Sequence, residues 1–169
     1  MVLERHMTTS YSHKIFVYGS LLSNLGNHHV LLNMRPQVRL ISDNCITTDK
    51  FYLTGLKSNE YPYLSVVPLR TDQIPSQIKG ELYEVTSVAL AELDDFEDHP
   101  IEYLRSQIEV SDLSGTILKE PWNEKSDLLK ANVYMLRNEK RIEEARAAFD
   151  AKFVIVHHGD WRAHLKNIR

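Results

Sequence analysis

Residues 78–110 read IKGELYEVTSVALAELDDFEDHPIEYLRSQIEV. The run over 78–85 reads as a strand. Thr86 and Ser87 offer a helix N-cap, and residues 88–97 follow with helical spacing. Pro100 biases His99 away from the α region, so the helix ends near there. A second strand is expected over 103–110, ended by Asp112 to Gly115. Upstream, KIFVY at 14–18 is a strand that stops at Gly19, and residues 26–34 make one or two helical turns. Val38, Leu40 and Ile46 share one parity, which predicts a strand over 37–47. Residues 51–54 and 61–67 are further strands, separated by Gly55 and a polar Lys57-Ser58-Asn59 stretch. Downstream, residues 116–119 and 131–136 read as strands around a polar loop that holds Trp122. Asn138 caps a helix over 139–150, FVIV begins at 153, and Asp160 caps a terminal helix. Strands outnumber helices and do not alternate with them regularly. That pattern favours an α+β domain around a curved or barrel-like mixed sheet over a doubly wound one.

The chain has 169 residues, 43% hydrophobic and 25% charged, with 20 Lys+Arg against 23 Asp+Glu. One core is expected, over residues 13–169. Residues 1–12 are set aside as a tag-like or disordered N-terminus. No run of roughly 18 apolar residues predicts a membrane span. MVLERHMTTS lacks the apolar stretch of a secretory signal. Cys45 is the single cysteine, so neither a disulfide nor a thiolate metal cluster is expected, and a reducing cytoplasm fits best. The slightly acidic balance carries no footprint for nucleic acid. Neither GxGxxG nor GxxxxGK[ST] occurs, so no nucleotide cofactor is expected. His28-His29 and His157-His158 are adjacent pairs that do not share a face, so no metal site is expected.

One carboxylate is out of place. With about 100° per residue, Ala89, Leu90, Leu93 and Phe96 define an apolar arc. Glu92, Asp94, Asp95 and Asp98 fall outside it, as a solvated face. Glu97 falls inside it. A carboxylate in apolar surroundings has a raised pKa, which suits it to accept and return a proton near neutral pH. Two other readings stand beside this one: the helix ends early and Glu97 swings into solvent, or Glu97 pairs with Arg105 for structural reasons.

A second signal is FVYGSL at 16–21. A strand that ends in Gly-Ser leaves the N–H groups of Gly19, Ser20 and Leu21 at its tip, where they can converge on an oxygen. The plainer reading is a strand-ending turn. Ser20 lacks the G-x-S-x-G setting of a nucleophile. His28 is expected to pack or hydrogen-bond near this loop.

FVYGSL at 16–21, NHHVLL at 27–32, YPYLSVVP at 61–68, KGELYEV at 79–85, LDDFEDHPIEYLR at 93–105 and ANVYML at 131–136 occur in a familiar order. The set resembles the γ-glutamylcyclotransferase-like superfamily, within it the branch of γ-glutamylaminecyclotransferases and avirulence-induced proteins. The terminal GDW at 159–161 is similar to the tail of some members. The resemblance runs from about Lys14 to Trp161. It implies a small mixed β-barrel with flanking helices and a cavity at one end. It implies that Tyr18, Gly19, Ser20 and Leu21 bind a glutamyl moiety through backbone groups, and that Glu97 is the general acid/base. Tyr103 and Tyr134 are expected to bind substrate, with Arg105 and His28 in support. Asp98 departs from the glycine that many relatives carry, which bears on substrate choice.

The expected reaction is cyclisation of a γ-glutamyl amide to 5-oxoproline with release of an amine, without metal or cofactor. The expected partner is that small molecule, with no nucleic acid or membrane, in a monomer or homodimer. Two other readings share the fold. One is a module that binds small metabolites without turnover; the other is an interaction protein that works through the 112–130 loop and the C-terminal tail.

Overall fold

In the computed structural model, residues 9–115, 117 and 128–168 are described. The expected N-terminal segment lies largely outside them, as do the Trp122 loop and most of the predicted 116–119 strand. Strand β1 (His13–Val17) is the run of β-branched and aromatic residues noted above. Its neighbours come from far along the chain. On one side it pairs antiparallel with β5 (Lys79–Val85), with Ile15 opposite Tyr83. On the other it pairs parallel with β7 (Leu128–Met135), with Ile15 opposite Asn132. Asn132 Nδ2 also donates to the Lys14 carbonyl over 3.1 Å.

Strand β2 (Val38–Thr47) and strand β6 (Leu104–Asp112) complete a closed barrel in the order β1-β5-β2-β6-β7. Closure leaves the barrel itself no unpaired edge strand. The barrel is mixed, as expected. A separate sheet in the order β4-β3-β8 was not foreseen; it joins β3 (Tyr52–Leu56), β4 (Pro62–Ser65) and β8 (Phe153–Ile155). The helices are α1 (His28–Asn33), α2 (Ser87–Phe96), α3 (Glu139–Ala147), α4 (Phe149–Lys152) and α5 (Trp161–Asn167).

The caps follow the sequence. Thr86 Oγ1 accepts from Ala89 N, Asn138 Oδ1 from Lys140 N and Arg141 N, and Asp160 Oδ1 from Ala163 N. The expected helix over 139–150 divides at Ala148 into α3 and α4.

Two expectations fail for local reasons. The parity of β2 breaks at register shifts between Leu40 and Ser42 and between Ser42 and Cys45. Past the second shift the inward parity changes, so Cys45 and Thr47 point inward; Leu40, of the same parity as buried Val38 and Ser42, nevertheless lies 43% exposed. Thr47 is tolerated there because its hydroxyl donates to Asp49 O (2.7 Å) and accepts from Ile78 N (2.9 Å).

Gly55 does not separate two strands; it sits within β3. The indole of the buried Trp161 lies over it, and a Cβ there would come within 2.8 Å of the ring and 3.2 Å of Val156. Gly55→Ala should therefore destabilise the protein by about 1–3 kcal/mol through overpacking. Urea unfolding checks this, and an unchanged midpoint would refute it.

The parallel pairing of β1 with β7 brings their C-terminal ends to one end of the barrel. The start of β6 is there too, because Leu104 faces Met135. β5 finishes at the opposite end, where Val85 faces His13. Helix α2 then runs back along the barrel on buried Ala89, Leu90 and Leu93. Its ten residues span about 15 Å, roughly the length of a five-residue strand. This return delivers residue 97 to the end where β1 stops.

Candidate functional site

Beyond Val17 the chain turns under tight constraints. Tyr18 is buried, and its hydroxyl donates to the main-chain carbonyl of Tyr134 over 2.7 Å. Gly19 lies against Pro62, where a Cβ would stand 2.7 Å from the ring. Close approach, with no left-handed backbone, is what requires glycine here. The carbonyls of the loop are satisfied from within it. Leu22 N donates to Gly19 O (3.0 Å), Asn27 N to Ser20 O (3.0 Å), and His28 Nδ1 to Leu21 O (3.0 Å). Asn27 Nδ2 donates to Ser20 Oγ over 2.9 Å. The N–H groups of Gly19, Ser20 and Leu21 donate to none of the described residues.

Helix α2 ends opposite this loop. His99 N donates to Asp94 O (2.9 Å) and Asp98 N to Asp95 O (3.2 Å). These two bonds, with Asp98 left-handed at φ 50°, make a Schellman stop. Glu97 is the last residue before it, at φ −86°, ψ 4°. It keeps the direction that the helical wheel assigns, although the helix proper finishes at Phe96.

The Gly19 loop and Glu97 face the same cavity of about 290 Å³, which Tyr103 and Tyr134 also line. Burial pushes the Glu97 carboxyl up to about 7. Among the described residues nothing hydrogen-bonds to it. The phenols of Tyr18 and Tyr103 are held well above their ordinary range by burial, with the Glu97 carboxylate adding to the effect in both. They stay protonated near neutral pH, so each remains a donor.

Arg105 and Asp94 require correction. Arg105 does not pair with Glu97; its guanidinium donates to Asp94 Oδ2 over 2.6 Å. The other oxygen of Asp94 accepts from the Tyr134 hydroxyl over 2.7 Å. Asp94 is thus no member of a solvated face. It ties α2 to β6 and β7 and fixes the Tyr134 ring against the cavity. Arg105 and His28 both stand one layer behind the lining. Phe96, placed in the apolar arc, is instead 42% exposed at the cavity wall.

Several residues of the site escaped the sequence reading. Tyr61, Pro62 and Glu102 line the cavity. Glu102 accepts from Tyr63 Oη over 3.1 Å and pairs with Arg141 over 3.2 Å. Glu81, 1% exposed, is the deepest charge described. It accepts from Ser23 N (3.0 Å), Ser23 Oγ (3.0 Å), Tyr83 Oη (2.8 Å) and the Arg162 guanidinium. The same guanidinium donates to Ser23 O over 2.9 Å. Glu81 and Arg162 together clamp the segment that follows the Gly19 loop. The one signal for this was an acidic residue inside the strand KGELYEV.

No group of three or more His, Cys, Asp or Glu among the described residues is placed to hold a metal ion. None of their helices is long and apolar enough to cross a membrane.

The chain has counterparts among known proteins. The family model described as gamma-glutamyl cyclotransferase, AIG2-like, matches residues 15–163. The chain belongs to that family. It is 37% identical over 106 residues to gamma-glutamylaminecyclotransferase C of Danio rerio, covering 62% of this chain and 66% of that one. It is 33% identical over 96 residues to gamma-glutamylaminecyclotransferase of Mus musculus, covering 57% and 62%. The matched stretch therefore spans less than two thirds of those relatives. A crystal structure of an AIG2-like protein from Mus musculus superposes with a TM-score of 0.58 at 29% identity, over 75% of this chain and 78% of that one. The mixed barrel with flanking helices is the fold of this family.

Proposed function

We propose that the protein is a γ-glutamylamine cyclotransferase in which Glu97 is the general acid/base. The observation that carries this reading is one carboxyl with no hydrogen-bond partner among the described residues, sharing a cavity with three unengaged backbone N–H groups. The relatives named above support the substrate class.

A γ-glutamyl amide contains its own nucleophile. Its α-nitrogen attacks the γ-carbonyl carbon, the new C–N bond closes a five-membered ring, and the bond to the leaving nitrogen breaks. Because the reaction is intramolecular, holding the glutamyl chain folded supplies much of the acceleration. Glu97 takes one proton from the α-ammonium and returns it to the leaving nitrogen. The α-nitrogen loses a second proton as the ring forms, and the released amine carries it away as an ammonium. The N–H groups of Gly19 to Leu21 hold the glutamyl carboxylate or the developing oxyanion. Tyr103 and Tyr134 wall the glutamyl half.

Release of 5-oxoproline from γ-glutamyl-ε-lysine, γ-glutamyl-alanine, a simple γ-glutamylamine and glutathione tests this reading. Turnover of none of them would overturn it. Glu97 must begin as the carboxylate to accept a proton. We therefore expect kcat/KM to rise with pH up to about 7, where burial places Glu97, and then to level off. A profile already flat from pH 5 would assign the proton transfer to another group.

A further inference from the structure

The charges on the cavity wall are unbalanced. Its lining includes Glu97, Asp98 and Glu102, and no Lys, Arg or His. The three carboxyls stand in different situations. Glu97 faces the glutamyl donors. Glu102 is already engaged, by Tyr63 Oη at 3.1 Å and Arg141 Nε at 3.2 Å. Asp98 makes no hydrogen bond or ion pair through its side chain among the described residues. Arg141, whose guanidinium also feels Asp98, is shared between Glu102 and Glu144, the latter at 2.9 Å.

The backbone fixes Asp98 in this place. Its carbonyl accepts from Ile101 N (2.8 Å) and Glu102 N (2.9 Å), and its N–H from the Schellman stop is bound to Asp95 O. The same lining includes the apolar and aromatic side chains of Phe96, Tyr61 and Pro62. A stem of methylene groups fits such a wall, and a positive charge at its far end would meet the unpaired carboxylate.

We propose that Asp98 is a specificity-determining residue that selects leaving amines carrying a second, positively charged nitrogen, so that γ-glutamyl monoamides of aliphatic diamines are preferred over neutral or anionic ones. This rests on the cyclotransferase reading for the site, since the leaving half is defined by the cyclisation. The unengaged N–H groups and the bare Glu97 mark the cavity as a ligand site independently of Asp98.

Three amides with tails of matched length test it: 4-aminobutyl (ammonium tail), pentyl (methyl tail) and 3-carboxypropyl (carboxylate tail). Their binding to Glu97→Gln protein is measured by calorimetry, and kcat/KM is measured on the unaltered enzyme. At low salt the ammonium tail should be favoured over the methyl tail by about fivefold. The carboxylate tail should be the worst, and the preference should shrink at high salt. Adding Asp98→Asn should bring the ammonium-to-methyl ratio to about one, and Asp98→Lys should favour the carboxylate tail. The methyl tail, measured in every variant, reports whether the pocket is still formed.

A ratio unchanged by Asp98→Asn would overturn the proposal, as would a ratio of one in the unaltered protein. Charge-ordered binding without release of 5-oxoproline would keep the subsite and remove the cyclotransferase reading. Release of 5-oxoproline without charge order would do the reverse. Failure of all three amides to bind would remove both.

Discussion

Glu97→Gln should lower turnover by roughly 10²–10⁴-fold while leaving substrate binding in place, because the amide keeps the shape of the side chain and cannot carry the proton. Measuring 5-oxoproline release beside calorimetric binding separates the two effects. A variant as fast as the unaltered protein would dismiss Glu97 as the acid/base. Stability should move the other way. Burial raises the carboxyl in the folded state to about 7, above its ordinary value of 4.5. The native state therefore holds this proton more tightly than the unfolded chain does. Its contribution is fully present below pH 4.5 and is lost as pH rises through about 7. Gln carries no such dependence. The Tm of the variant should exceed that of the unaltered protein at pH 8, and the gap should close by pH 4. A gap that stays constant with pH would mean that Glu97 is not desolvated.

Arg162→Ala should cost about 3–5 kcal/mol, because it strands the buried Glu81 carboxylate without its cation. Denaturant unfolding measures the loss. Adding Glu81→Gln should recover part of it, since the double variant leaves no buried charge. A cost below about 0.5 kcal/mol for Arg162→Ala would show that the remaining donors, Ser23 and Tyr83, suffice. Because Ser23 follows the Gly19 loop, Arg162→Ala should also raise KM for the γ-glutamyl amide.

The barrel-like mixed sheet and the inward direction of Glu97 were legible in the sequence because both leave a trace in the local pattern. A helix carries its 3.6-residue repeat up to its cap, so a charge on the apolar side shows without knowledge of anything else. Asp94 was misread for the same reason. The wheel sees one helix, whereas Tyr134 and Arg105 reach Asp94 from two strands 40 and 11 residues away. Glu81 was invisible as a buried charge because Ser23 and Arg162, which hold it, lie 58 and 81 residues off. The inward turn of Cys45 and Thr47 was missed because a register shift after Ser42 changes which parity faces inward, and nothing in the alternation announces a bulge. Gly55 looked like a break because its reason for being glycine is a ring more than 100 residues downstream.

Closure of the barrel bears on how the chain is made. β1 leaves the ribosome more than a hundred residues ahead of its parallel partner, and parallel contacts of that span form slowly. Until residues near 132 emerge, Ile15 lacks its second neighbour. Until Arg162 emerges, Glu81 lacks its cation. The Gly19 loop stands between these two late events, so a nascent or prematurely stopped chain carries the loop sequence without its shape. The candidate site should therefore appear all at once, when the segment carrying Arg162 has emerged, and not in proportion to the length of chain made.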